Sequence, residues 1–315
     1  MSGNYATETV PAEAAGIARA AEVLRRGGLV ALPTETVYGL AARADSEAAV
    51  RRVYAAKGRP GFNPLIVHLQ NVGEAARYAH MPPAALELAE RFWPGPLTLV
   101  VRRRDDAGLA PSVTAGLATV ALRVPAHPVM QAVLAATGLP LAAPSANRSG
   151  FVSPTTAPHV EATLAGRIDL ILDGGQPCAR GIESTILAVR DNGAIEELRP
   201  GPISLDDLPA LAAPRMERPI EAPGQLASHY APGKPVRLNA TKVAPDDFVI
   251  GFGAVAGDCT LSKSGDLAEA AARLYACLHL GAASDKPRIA VAPIPDCGIG
   301  AAINDRLRRA ATAPD

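Results

Sequence analysis

The sequence is poor in cysteine and aromatic residues and contains no long hydrophobic run. Aromatic residues make up only 4% of the chain, which argues against a surface that binds RNA by stacking bases on side chains. No stretch of about 18 apolar residues occurs, so we expect no membrane-spanning helix. The cysteines form no C-x-x-C pair and no histidine stands at zinc-finger spacing, so we expect reduced thiols and no metal site at Cys178, Cys259, Cys277 and Cys297.

Several sequence signatures of common enzyme classes are also missing. There is no G-x-x-x-x-G-K-[ST] phosphate loop, no G-x-S-x-G nucleophile motif and no G-x-G-x-x-G dinucleotide fingerprint. The formal net charge is +0 and the pI is about 7.0, which excludes a strongly basic nucleic-acid binder as a description of the whole chain. Residues 1–10 are polar and lack the apolar centre of a signal peptide, so we expect a cytoplasmic protein.

The length and the distribution of prolines predict two domains. The chain has 315 residues, of which 48% are hydrophobic and 20% charged, and 315 residues exceed the usual size of one domain. We predict a first domain over residues 1–211, which ends in a short helix at 204–211. Within it, the apolar periodicity predicts helices at 73–79, 83–92 and 128–137, and Asn192-Gly193 predicts a hairpin turn. A proline-rich linker follows over residues 212–235. Residues 236–315 alternate strand and helix patterns, which predicts a small Rossmann-like domain.

Two polar loops follow apolar strands in the first domain. The predicted strand 29–32 opens into a loop of hydroxyl groups, and the helix at 46–56 that follows ends beside Lys57 and Arg59. The predicted strand 141–143 opens into a second polar loop over residues 144–150. Ligands of open α/β sheets bind where such loops leave the carboxyl ends of strands. The alternative is an ordinary strand-to-helix loop followed by a basic helix terminus, which the helix dipole favours.

The cations of these segments indicate an anionic ligand. Lys57, Arg59, Arg123 and Arg199 all lie in or beside segments that are rich in hydroxyl groups. Such groups neutralise phosphate or carboxylate, and they favour catalysis by positioning and charge neutralisation over a covalent nucleophile.

Taken together, the motifs resemble the YrdC-type threonylcarbamoyl-AMP synthases over about residues 15–205. Two further motifs, HYAP at 229–232 and NDRL at 304–307, resemble the longer, two-domain branch of that family. The resemblance implies an open, twisted mixed sheet with flanking helices, followed by the small C-terminal domain. The motifs of the first domain are PTETVYGL (33–40), KGRP (57–60) with NPL (63–65), PSAN (144–147) with SG (149–150), SPT (153–155) and GIEST (181–185).

The resemblance also implies a reaction and its partners. L-threonine, bicarbonate and ATP, the last with Mg²⁺, would give L-threonylcarbamoyl-AMP and pyrophosphate. The product would serve downstream enzymes that transfer the threonylcarbamoyl group to a tRNA adenosine. A weak direct contact with tRNA is compatible with this role.

The resemblance assigns site residues by motif. Lys57, Arg59 and Asn147 would line the reacting centre, Arg123 would pair with the threonine carboxylate, and the linker around Tyr230 would close over the nucleotide as a lid. The expected L-threonine ligands are Thr36, His68, Arg123, Ala143 (through its main chain) and Ser184. The expected ATP ligands are Arg59, Asn63, Thr119, Ser145, Ser153, Arg199 and Tyr230.

Two departures and two alternatives accompany this interpretation. The family often has an acidic residue soon after the Glu-Ser-Thr motif, whereas this chain has Leu-Ala-Val at 187–189. The family usually has Gly-Met before its His-Tyr motif, whereas this chain has Gly-Gln-Leu at 224–226. One alternative is an RNA- or ribosome-binding module of the same fold. The other is a carbamoyl-transfer domain, which usually belongs to a larger metal-binding protein. The neutral net charge argues against the RNA-binding module, and the missing cysteine pairs argue against the carbamoyl-transfer domain.

Overall fold

The computed structural model describes residues 6–203, 220–225, 229–242 and 244–312. The helix predicted for residues 204–211 lies outside the described residues, as does the first part of the predicted linker. The domain bounds at residues 211 and 235 therefore stay a prediction.

A large mixed sheet forms the first part of the chain. Ten strands of the described residues pair in the order β1-β8-β2-β3-β7-β4-β6-β5-β9-β10, with both parallel and antiparallel neighbours. The predicted mixed α/β fold is confirmed. The strands are β1 Glu8–Pro11, β2 Val30–Leu32, β3 Gly39–Arg43, β4 Ile66–His68, β5 Leu97–Arg102, β6 Thr119–Arg123, β7 Leu141–Ala142, β8 Leu170–Asp173, β9 Thr185–Val189 and β10 Ile195–Arg199.

Helices flank this sheet and cover its apolar side chains. The core is built mainly of alanine, valine and leucine from the strands and from the buried faces of the helices. The helix expected at residues 73–79 is instead a 3₁₀ turn, Val72–Glu74, followed by one short helix. The helices are α1 Ala14–Arg25, α2 Glu47–Lys57, α3 Ala75–Tyr78, α4 Pro83–Phe92, α5 Pro111–Thr114, α6 Pro128–Thr137 and α7 Ala157–Leu164.

A second, smaller sheet follows, and it is parallel throughout. Its strand order is β11-β14-β12-β13, and helices α8 and α9 pack against it around a core of their own. This agrees with the predicted alternation of strands and helices. Its elements are β11 Val236–Arg237, β12 Asp247–Gly251, β13 Cys259–Thr260, α8 Leu267–Ala283, β14 Arg288–Val291 and α9 Ile299–Ala311.

The two polar loops predicted from the sequence lie side by side. Gly39 and Ser145 form an antiparallel bridge, and the main-chain N–H of Ala146 donates to the carbonyl of Tyr38 at 2.8 Å. Strands β3 and β7 pair directly beyond this point. The sheet topology thus brings residues more than 100 positions apart to one edge, as expected for loops that share a ligand.

Candidate active site

The lysine of the first loop region is placed by the two ends of its helix. The Ser46 side chain caps the start of α2 by accepting a hydrogen bond from the Ala49 N–H. Gly58 ends the helix in the left-handed region, with φ of 61°, a conformation that glycine adopts without strain. Lys57, the last helical residue, is therefore buried and directed at the second polar loop, where its Nζ donates to the carbonyls of Ser145, at 2.5 Å, and Asn147.

The hydroxyl of Thr34 fixes the shape of the first loop. It accepts hydrogen bonds from the N–H groups of Thr36 and Val37 and donates to the Val37 carbonyl at 2.7 Å. This turn brings the Thr36 hydroxyl to 3.0 Å from Nη1 of Arg123. Arg123 and His68 are neighbours across the parallel strands β4 and β6, so both reach the same end of the sheet.

These elements surround a cavity lined by polar and charged side chains. Nine of the residues predicted from the motifs line it: Thr36, Arg59, His68, Arg123, Ala143, Ser145, Ser184, Arg199 and Tyr230.

Four further predicted residues lie one contact behind the cavity wall. Lys57 and Asn147 meet at the Ser145 loop, and Asn63 accepts a hydrogen bond from Arg59 at 2.6 Å. Ser153 donates to Glu183, which itself lines the cavity.

Thr119 is separate from this group. It lies at the start of β6, opposite Arg102, whereas Arg123 at the far end of the same strand lines the cavity. Its predicted contact with ATP stays a prediction.

Three buried cations around the cavity contact main-chain carbonyls or uncharged side chains. Lys57, Arg59 and Arg199 are at most 8% exposed, and none of them is within ion-pair distance of a carboxylate in the described part of the chain. Burial lowers the pKa of all three, that of Arg59 to about 10. The Glu183 charge offsets part of the Arg199 charge from beyond ion-pair distance. A buried cation without a paired carboxylate is unfavourable, so this arrangement favours binding of an anion.

Arg123 differs from these cations because it has a carboxylate partner. Its Nη2 lies 2.5 Å from Oε1 of Glu35, and both side chains are largely buried. Burial alone would raise the pKa of Glu35, but the Arg123 charge outweighs it and lowers that pKa. Glu35 therefore occupies the position in which we expected the carboxylate of a substrate.

Buried polar atoms without a hydrogen-bond partner are concentrated here. Eight such side-chain atoms occur in the described residues, and six belong to this cavity or its immediate wall. Buried polar groups are normally paired, so a cluster of exceptions indicates groups that await a ligand. The six atoms are Oε2 of Glu35, Nδ2 of Asn63, Nδ1 of His68, Oδ1 of Asn147, Nδ1 of His229 and Nη2 of Arg306.

Sequence reasoning missed several residues of this cavity. The resemblance assigns no role to five of them, although all five lie within the quoted motifs and departures: Thr34, Glu35, Glu183, Gly224 and His229. All but Glu35 line the cavity wall directly. The useful signal was the pair of threonines two positions apart, because a hydroxyl at that spacing commonly folds the main chain into a turn.

Comparison with known proteins places this geometry in a family. A model of the Sua5, YciO and YrdC proteins, described as telomere recombination, matches residues 22–201. A model described as the C-terminal domain of threonylcarbamoyl-AMP synthase matches residues 193–312. The chain belongs to the two-domain Sua5 branch of this family. The resemblance inferred from the motifs is thereby confirmed, and the chain is an enzyme of the threonylcarbamoyl-AMP synthase type.

Individual relatives match over nearly the whole chain. The threonylcarbamoyl-AMP synthase of Bacillus subtilis is 40% identical over 94% of this chain and 92% of that protein. The threonylcarbamoyl-AMP synthase of Pyrococcus abyssi is 36% identical over 92% of each. The crystal structure of P. abyssi Sua5 complexed with L-threonine superimposes with a TM-score of 0.86 at 34% identity, covering 97% of this chain and 96% of that one.

The buried histidine of the cavity gives a prediction for acid stability. Burial, and next the Arg123 charge, lower the pKa of His68 to about 3. A histidine whose pKa is lower in the folded state contributes stability above its ordinary pKa of about 6.5, and that stability is lost as the pH falls towards 3. We expect the free energy of unfolding to lose about 1.4 kcal/mol per pH unit from this one group. The His68→Gln variant should show a correspondingly smaller slope between pH 6 and pH 4.

Urea unfolding of both proteins at several pH values measures this difference. The other buried histidine of the cavity, His229, also has a pKa lowered to about 3 and remains in both proteins, so its contribution cancels. Parallel curves for the wild type and the variant would show that His68 does not titrate differently in the folded state.

Proposed function

We propose that this chain makes L-threonylcarbamoyl-AMP from L-threonine, bicarbonate and ATP, with release of pyrophosphate. The observation that carries the proposal is a group of three buried cations at one cavity, none within ion-pair distance of a carboxylate in the described residues: Arg59 and Arg199 line the cavity, and Lys57 lies directly behind the Ser145 wall. An ATP phosphate chain is an anion of the required charge. The membership of the chain in the synthase family supports the same ligand and favours this activity over an RNA-binding module.

The threonine half of the cavity would lie around Arg123. Its guanidinium can pair with the substrate carboxylate if Glu35 moves away, or if Glu35 and the substrate both contact the guanidinium. The Thr36 and Ser184 hydroxyls, neutral His68 and the main chain of Ala143 would complete the pocket. The relative crystallised with L-threonine has the same overall fold over nearly its whole length, which supports this assignment.

The nucleotide half would lie on the opposite side, between Arg59 and Arg199. Asn63 holds the Arg59 guanidinium from behind, and the Ser184 carbonyl accepts two hydrogen bonds from Arg199. Ser145 offers a hydroxyl group, whereas Ser153, predicted as an ATP ligand, donates its hydroxyl to Glu183 behind the wall. Tyr230 lines the wall where the lid is predicted. The lid would have to move for ATP to enter, because Tyr230 is 1% exposed.

The chemistry needs positioning more than a covalent intermediate. The threonine amine and bicarbonate form a carbamate and water, and a carbamate oxygen then attacks the α-phosphorus of ATP while the bond to pyrophosphate breaks. Negative charge on the transferred group increases in the transition state. Lys57 and Arg59, fixed by main-chain and amide contacts, would stabilise this charge without rearranging.

Mg²⁺ would enter as part of the ATP substrate. The described residues hold no group of three or more His, Cys, Asp or Glu side chains suited to a metal. Glu183, a carboxylate that lines the cavity, is already held by Ser153, Tyr275 and Arg306. The cavity donors therefore fit phosphate, and the metal would be held chiefly by the phosphate oxygens.

The product would then pass to enzymes that transfer the threonylcarbamoyl group to tRNA. A mixed anhydride of a carbamate and AMP is hydrolysed by water, so rapid transfer to such a partner is expected. Among the described residues, none of the helices has the length and hydrophobicity that a membrane crossing requires. The cytoplasmic location and the weak tRNA contact expected from the sequence stay predictions.

Release of pyrophosphate tests the proposed reaction directly. We expect release from ATP and Mg²⁺ only when both L-threonine and bicarbonate are present, with mixtures that omit each component as controls. Release without threonine would indicate simple ATP hydrolysis. A well-folded protein that gives no threonine-dependent release but binds RNA in a salt-dependent manner would support the RNA-binding alternative instead.

A further inference from the structure

One carboxylate of the cavity is held from both domains. Oε1 of Glu183 accepts a hydrogen bond from the Ser153 hydroxyl at 2.6 Å, within the first domain. Its Oε2 accepts one from the Tyr275 hydroxyl at 2.8 Å and one from Nε of Arg306 at 3.3 Å. Tyr275 belongs to α8 and Arg306 to α9, so both groups on Oε2 come from the C-terminal domain.

Arg306 is fully buried at this interface. Its Nη1 donates to the carbonyl of Pro200 at 2.6 Å, and Pro200 directly follows Arg199 in the chain. The same Nη1 lies 3.1 Å from Oδ2 of Asp305. Burial would raise the pKa of Glu183, but the charges of Arg306 and Arg199 outweigh it and lower that pKa to about 2. Glu183 is therefore ionised, and its charge is shared between one arginine of each domain.

The same contacts reach the aromatic wall of the cavity. The Tyr230 ring stacks on Tyr275 with 5.5 Å between the ring centroids, and the guanidinium of Arg306 lies 5.8 Å from the Tyr230 centroid. Ser153 is held at its hydroxyl by Glu183 and at its carbonyl oxygen by Nε2 of His279 on α8, which lies 3.1 Å away. The C-terminal domain thus fixes several groups on the nucleotide side of the cavity.

The backbone of α8 packs directly against the segment that carries Glu183. Gly181 has φ of 68°, and a Cβ added there would lie 2.4 Å from the Cα of Ala272. No side chain could be accommodated without moving the helix away. This close approach explains how Tyr275, one turn further along α8, reaches a carboxylate of the other domain.

We infer that Tyr275 and Arg306 are positioning residues for the nucleotide half of the active site. They hold Glu183, and through it Ser153 and the charge environment of Arg199, in the arrangement that receives ATP. The inference rests on the proposed function and goes beyond it, because it assigns the C-terminal domain a part in substrate binding. Within the threonine half, Arg123 is not held in this way, because it is fixed by Glu35, Thr36 and Gly95, all from the first domain. The two halves meet at Ser184, whose carbonyl and hydroxyl accept hydrogen bonds from Arg199.

The Tyr275→Phe variant tests this role by removing one hydroxyl group. The ring and its stacking on Tyr230 are retained, so the interface should stay folded. We expect the KM for ATP and the Kd of ATP, measured by calorimetry, to rise at least fivefold. The KM for L-threonine should stay within twofold of the wild type, since Arg123 has no contact with Tyr275. A purely structural role would not separate the two substrates.

Two further variants complete the experiment. Tyr78→Phe removes a hydroxyl from another buried tyrosine that lies away from the cavity, and it should bind ATP like the wild type. Arg306→Lys keeps a positive charge near Glu183, and its ATP affinity should fall between those of Arg306→Met and the wild type. The unfolding midpoint of each protein shows whether it is folded.

An unchanged Kd of ATP in both Tyr275→Phe and Arg306→Lys would overturn the inference. A KM for threonine that rises by the same factor as the KM for ATP would also overturn the inference. The binding measurement decides this question even if the wild type gives no threonine-dependent pyrophosphate, which would contradict the proposed reaction alone. A wild type that does not bind ATP at all would contradict both proposals.

Discussion

Replacing Lys57 with methionine is expected to reduce kcat/KM for threonine-dependent pyrophosphate release at least about 100-fold. The Nζ of Lys57 is buried between the carbonyls of Ser145 and Asn147, where it is held in place before any substrate arrives. Methionine has a similar length but no charge, so the developing charge on the α-phosphate would lose one fixed cation. The loss should appear mainly in kcat, because the interaction strengthens in the transition state. Arg59→Ala should show a comparable loss.

Lys234 offers a matched control for this experiment. Its Nζ also donates to two main-chain carbonyls, those of Gly281 at 3.0 Å and Ser284 at 2.5 Å, at the end of α8. The Lys57 Nζ instead holds the carbonyl of Ser145, which forms part of the active-site cavity wall. Lys234→Met should therefore retain the activity of the wild type, whatever the loss of two hydrogen bonds does to stability. Full activity in both Lys57→Met and Arg59→Ala would show that these cations do not serve the reaction.

The Arg123→Met variant should lose use of L-threonine, with KM raised about 100-fold or more, since a charge-assisted contact to the substrate carboxylate disappears. It should also unfold more easily. Glu35 would remain buried beside it without its ion-pair partner, and breaking a buried pair in this way typically costs about 3–5 kcal/mol. Activity and stability would then fall together, and a single variant could not separate the two effects.

The double variant Glu35→Gln/Arg123→Met makes that separation. It removes the uncompensated carboxylate, so most of the stability should return, while threonine use should stay impaired. Urea unfolding and initial rates over a range of threonine concentrations measure the two properties. Recovery of the wild-type threonine KM in the double variant would exclude Arg123 as the carboxylate ligand.

The elements with a clear local pattern were predicted closely. The helices Pro83–Phe92 and Pro128–Thr137 have the predicted bounds, because each begins with a proline at its first turn and has a regular apolar face. The hairpin expected at Asn192 and Gly193 joins β9 and β10 as predicted. In each case the signal lies within a few residues of the feature it predicts.

The strands that were not predicted have little local signal. β3, Gly39–Arg43, was interpreted as the end of a polar loop, because its alanines and glycine have weak strand preference. Pairing with β2 on one side and β7 on the other makes it a strand. β1, Glu8–Pro11, is largely exposed and forms through its parallel pairing with β8, more than 160 residues away. Neither pairing partner can be identified from a short window of sequence.

The candidate site shows the same limit. Family motifs pointed to most of the residues that line the cavity, and the adjacent polar loops were foreseen from their positions after strands. The partners of the charged groups were not foreseen. Arg123 finds Glu35 at a separation of 88 residues, and Glu183 finds Tyr275 at 92 and Arg306 at 123. These pairs depend on the packing of whole elements and domains, which no local pattern reports.

The long separation between Glu183 and Arg306 has a consequence for synthesis on the ribosome. At about 5–20 residues per second, the 123 residues between them take about 6–25 seconds to be made. For part of that interval the first domain is already long enough to fold, but its Glu183 carboxylate has no contact with Arg306. The newly made domain would keep Glu183 hydrated and its nucleotide side open. The cavity would reach its final form only after α9 leaves the ribosomal tunnel, so ATP binding should be acquired late in synthesis.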